Sequence, residues 1–92
     1  MKVTYDAKED VHIVTIEDLE TTTYIRANSL SDVRDGFLNR MRVLFDDAVC
    51  DSVGIDEAIN HFKYGISHDI FNEKVAGYAR LAIVALEKYK KN

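Results

Sequence analysis

The first quarter of the chain alternates. Val3 and Tyr5 alternate with Lys2 and Thr4, the period-two pattern of a half-buried strand. Ala7-Lys8-Glu9-Asp10 is a polar break suited to a hairpin turn, although it lacks the Asn-Gly signature. Val11 to Ile16 is rich in β-branched residues, with Val11 and Ile13 on one face and Val14 and Ile16 on the other. A strand apolar on both faces is usually central or covered on both sides. Glu17-Asp18-Leu19-Glu20 is the next turn, and Thr21 to Ala27 a third strand. These segments predict a three-stranded antiparallel meander with Val11–Ile16 in the middle.

The pattern then changes to a helical period. Asn28-Ser29-Leu30-Ser31-Asp32 has helix-start chemistry: Ser29 or Ser31 can cap a free N–H, and Asp32 suits the positive helix end. Phe37, Leu38, Met41, Leu44, Phe45, Ala48 and Val49 form a wide apolar stripe. Gly36 falls inside this segment, so either a short turn ends there or a neighbour packs against its bare backbone. Asp51-Ser52-Val53-Gly54 reads as a loop. Asp56 to Tyr64 reads as a short second helix with Ile55, Ala58, Ile59 and Phe62 inward and Gly65 as its stop. A third helix is expected from about His68 to Lys90, capped by Ser67, with Ile66 and Phe71 as a hydrophobic staple. The fold class expected is α+β: a single domain over residues 1–92, with strands to about 27 and three helices over about 30–91 packed on one face of the meander.

Ninety-two residues leave no room for a second domain or a large barrel. Twelve basic against sixteen acidic residues give a net charge of −4, which argues against a general phosphate-binding surface. Arg34, Arg40 and Arg42, and Lys88, Lys90 and Lys91, are interleaved with acids or confined to one end. The five tyrosines show no aromatic–basic repeat, so direct nucleic-acid binding is not expected. The single cysteine, Cys50, excludes an internal disulfide and fits a cytoplasmic setting. The first residues lack the apolar core of a secretory signal. The longest apolar run, Leu81 to Leu86, is six residues, where a bilayer needs about 20. A soluble protein without membrane contact is expected.

Candidate chemistry is sparse. His61 and His68 are seven residues apart, and Cys50 precedes His61 by eleven, which misses the close pairs of zinc sites. A thiolate–imidazole pair from Cys50 with His61 or His68 would make a small thiol- or metal-dependent enzyme. Yet Asp46, Asp47 and Asp51 would raise the thiol pKa, and a structural cysteine is the plainer reading. Four scattered glycines make neither a Walker A loop nor a dinucleotide fingerprint. No cofactor is expected.

Two surfaces remain. Asp46, Asp47, Asp51, Asp56 and Glu57 form the densest acidic stretch, either a solvated helix edge or a surface that meets a basic partner. The run Leu81 to Leu86 points apolar side chains nearly all round its helix. Either the rest of the chain covers it, or Leu81 and Val84 are left for a second subunit in a homo-oligomer or for another partner. The function expected is a non-enzymatic protein-binding module, an adaptor or inhibitor that occludes a larger partner. One concrete version is a phage-type inhibitor whose acidic residues enter the basic groove of a nucleic-acid enzyme.

Overall fold

The computed structural model describes residues 2–8, 11–37, 39–51 and 54–91, without the side chains of Cys50, Asp51 and Lys91. Three strands, β1 (Lys2–Lys8), β2 (Val11–Glu17) and β3 (Thr22–Ala27), precede α1 (Leu30–Asp35), α2 (Asn39–Asp51), α3 (Ile55–Ser67) and α4 (Glu73–Lys91). The strands form an antiparallel sheet in the order β1-β2-β3. The fold class is α+β, as the alternation and helical periods indicate. Glu9, Asp10, Leu38, Ser52 and Val53, assigned above to turns and to an apolar stripe, lie outside the described residues.

Register decides which strand residues face the helices. Tyr5 pairs with Val14 and Val14 with Ile25; Val3 pairs with Ile16; His12 pairs with Ala27. Paired residues share a face, so this set makes the covered side, and Val14, Ile16, Ile25 and Ala27 are buried on it. Val11 and Ile13 lie on the other side and are only half-buried. The central strand is apolar on both faces, but only one face is packed against helices. The turn between β2 and β3 is closed by the Asp18 N–H, which donates to the Thr21 carbonyl at 2.8 Å.

Among the described residues there are four helices, not the three expected, because the first apolar stripe is broken near Gly36. Ser29 caps α1: its Oγ accepts from the Asp32 N–H at 3.2 Å, while the Asp32 carboxylate accepts from the Asn28 N–H at 3.2 Å. The helix then closes with short bonds from Gly36 N–H to Val33 and from Phe37 N–H to Arg34. Both readings of Gly36 hold. The helix ends there, and a Cβ at this position would overlap the ring of Tyr78 from α4.

A second correction concerns Gly65. It does not stop α3, which continues to Ser67. The end is made by Asp69, whose φ of 54° places it in the left-handed region that Asp tolerates. The Asp69 N–H donates to Ile66, and the Ile70 N–H to Gly65 at 3.0 Å, the two bonds of a Schellman motif. Ser67 is therefore the last residue of α3 rather than the cap of the next helix. Asn72 caps α4, its Oδ1 accepting from the Val75 N–H at 2.9 Å. Ile66 and Phe71, read above as a staple across Ser67, do not staple a helix start there, since Ser67 begins none; both pack, half-buried, against the core.

The helix α4 is the hub. It touches β2, β3, α1, α2 and α3. That answers the apolar run Leu81 to Leu86: neighbours within the chain cover most of its circumference. Val75, Ala79, Ala82 and Leu86 are buried, and so is Leu81. Phe37, Phe45 and Phe62 meet α4 from the helical layer, with the Phe37 and Phe62 rings stacked at 5.2 Å between centroids.

Candidate functional site

The helices α2 and α3 pack with a cleft of about 510 Å³ between them, closed at one end by the turn that follows α3. The helix α2 contributes Val43 and Leu44, α3 contributes Tyr64, and the turn contributes Ile70 and Phe71. Val43 is 59% exposed, Tyr64 56% and Ile70 62%, so three of the large apolar residues left open to solvent converge here. Leu44 and Phe71 are half-buried beneath them.

Local structure explains why. Arg40, Val43, Leu44 and Asp47 fall at helical spacing and share one face of α2. That face is beside the one that buries Phe45 and Ala48 in the core. On α3, the Schellman motif returns the chain so that Ile70 follows Tyr64 into the cleft. The bare backbone of Gly65 lets the Phe71 ring sit against the helix.

The charges are ordered. Arg40 lines the cleft toward the start of α2 and Asp47 two turns later, about 10 Å along the axis at 1.5 Å per residue. His61 also lines it, 6.4 Å from Phe71 between ring centroids. The His68 ring stacks on Tyr64 at 3.9 Å, and its Nδ1 lies 3.1 Å from the Tyr64 carbonyl oxygen.

The acidic residues singled out in the sequence have different neighbours. Asp46 pairs with Arg34 at 3.5 Å, and Asp56 with Lys90 across to α4. Asp47 lines the cleft, and Glu57 is exposed in the first turn of α3. The Asp51 and Cys50 side chains lie outside the described residues. Of the two residues proposed for an oligomer seam, Leu81 is 1% exposed and belongs to the core, because α4 is surrounded. Val84 is half-buried in a different cleft, beside β1. His61 and His68 make aromatic contacts on separate neighbours, Phe71 and Tyr64. Among the described residues, no group of three or more His, Cys, Asp or Glu side chains is placed to hold a metal ion. No helix among them is long and apolar enough to cross a membrane.

Val43, Tyr64 and Ile70 were not apparent as a site from sequence. Val43 is off the main stripe of its helix, which is a usable signal. Ile70 looked like the interior of a helix and gave none. The chain matches no family model, no curated protein and no solved structure.

Proposed function

We propose that this chain is a small non-enzymatic protein-binding module, an adaptor or inhibitor that occludes part of a larger partner through the α2–α3 cleft. The observation that carries this reading is the convergence of Val43, Tyr64 and Ile70 on one cleft, while the other large apolar residues of the helical layer, among the described residues, are buried or half-buried. Exposed apolar surface of this kind costs free energy in water and is relieved when a partner covers it.

The occupant that fits is an amphipathic helix of the partner. About two turns of apolar side chains would lie over Val43, Tyr64 and Ile70. An acidic residue at one end would meet Arg40, and a basic residue at the other would meet Asp47. A net charge of −4 favours partners with a basic surface around that helix, nucleic-acid enzymes among them. The acidic edge then serves approach, while the apolar cleft supplies affinity.

The test is capture from the native cell with wild-type protein and three variants. Val43→Glu and Ile70→Glu should lose the stoichiometric partner while circular dichroism stays unchanged. Glu57→Lys, outside the cleft, should retain it. Retention by both cleft variants sinks the proposal; loss by Glu57→Lys alone moves the contact surface to the acidic edge.

A further inference from the structure

A second cleft, of about 310 Å³, lies between β1, α3 and α4. Its lining is Tyr5 from β1, Lys63 and Ile66 from α3, and Arg80, Ile83 and Val84 from α4. The residues from α4 follow from its geometry: Arg80, Ile83 and Val84 are three and four apart and share a face. Three aliphatic side chains thus stand beside two cations, and among the described residues no carboxylate lines the cleft.

The hydrogen bonds around it are unequal. Tyr5 Oη lies 2.6 Å from His12 Nδ1. Lys63 is held by Glu87 at 3.6 Å. The Arg80 Nε, by contrast, is buried and has no hydrogen-bond partner, and Arg80 makes no ion pair among the described residues. An N–H of a cation removed from water without an acceptor is destabilising, more so than a neutral group in the same position. The Nε is itself closed to solvent, so a ligand in the cleft would meet the rest of the guanidinium; a cation beside aliphatic surface suits a ligand that is anionic at one end and apolar at the other.

We propose that this cleft binds an aliphatic carboxylate of medium chain length, its carboxylate against Arg80 and its alkyl chain over Ile66, Ile83 and Val84. A planar carboxylate matches the guanidinium fork and accepts two parallel hydrogen bonds. The volume stands near the lower end for small-molecule sites, roughly 300 Å³, which suits a chain of about eight carbons rather than a long-chain lipid. Aliphatic lining on both helices favours an alkyl body. The site shares only α3 with the α2–α3 cleft, and its occupancy does not depend on that cleft having a partner.

The experiment is titration of the isotope-labelled full chain with octanoate, followed by backbone amide shifts, with octanol as the uncharged control. Saturable shifts centred on Tyr5, Ile66, Ile83 and Val84 are expected, with octanol weaker by at least about tenfold, the factor that 1.4 kcal/mol represents. Arg80→Met, which keeps the aliphatic stem, should weaken octanoate by a similar factor while leaving octanol unchanged. The octanoate-to-octanol ratio in the wild type needs no variant, so a poorly folded Arg80→Met leaves the test intact. Absence of saturation, equal affinity for the two ligands, or shifts confined to Val43 and Ile70 overturns the proposal. So does a dimer that Val84→Glu dissociates, since a second copy would then fill the cleft.

Discussion

The ring of Phe71 lies against Gly65, in the space that a Cβ on Gly65 would need. This contact folds the turn after α3 back onto the helix and carries Ile70 to the rim of the α2–α3 cleft. Gly65→Ala should therefore pit two effects against each other. Helix propensity favours Ala by about 1 kcal/mol, whereas overpacking against a ring costs about 1–3 kcal/mol. We expect a net loss of about 1 kcal/mol in chemical denaturation. In a Phe71→Ala background the same change should become stabilising. Equal effects in both backgrounds would show that the ring is not what excludes the methyl group.

Leu81 and Val84 should part company on substitution. Leu81 is inside the core, so Leu81→Ala should cost about 2–5 kcal/mol and Leu81→Glu should abolish the cooperative unfolding transition. Val84 is half-buried at a cleft, and Val84→Glu should remain folded. Thermal melts of the three variants decide it; a folded Leu81→Glu would return that residue to the surface.

Asn72 is the sole side-chain acceptor that the described hydrogen bonds show at the start of α4. Asn72→Ala should cost about 1 kcal/mol, and Asn72→Asp or Asn72→Ser should cost much less. The sign of the difference between Ala and Ser is the informative quantity, because both remove the amide and only Ser keeps an acceptor.

Burial, and to a smaller extent the charge of Asp6, pushes the Tyr5 phenol above its ordinary value of 10.0. The folded state then holds this proton to higher pH than the unfolded state does. Its contribution is fully present below pH 10.0, the unfolded value, and is lost as pH rises through the folded value. Tyrosinate absorbance of the wild type minus that of Tyr5→Phe should titrate above 10.0, and the variant should lose stability less steeply in that alkaline window. A difference titration at or below 10.0 would contradict the burial argument.

Charges placed on the exposed cleft residues should leave the fold alone. Val43→Glu and Ile70→Glu change side chains that are mostly in water, so stability should move by no more than about 0.5 kcal/mol. Denaturation midpoints check this. A drop of several kcal/mol would mean that these residues support the fold, and the capture experiment would need milder changes such as Val43→Thr.

The strand alternation was enough to place the meander and its central strand, because side-chain direction in a strand depends only on sequence parity. The capping chemistry at Ser29 was equally local and is present in the structure. Fold class was thus legible, and so was the apolar excess on the last helix. The candidate site was not. Val43, Tyr64 and Ile70 come from three separate segments, and no local pattern marks residues that meet only after packing.

The glycines show where the division falls. Gly36 and Gly65 look alike in sequence, each within or just after an apolar helical pattern. One adjoins the end of α1 beneath Tyr78, and the other lies inside α3 beneath Phe71. The sequence by itself determined the periods of the strands and helices, since those follow from backbone geometry over a few residues. Only the tertiary structure decided where the helices break, which side of α4 stays open and what lines each cleft. Those outcomes depend on rings and helices brought together from distant parts of the chain, where burial outweighs local preference.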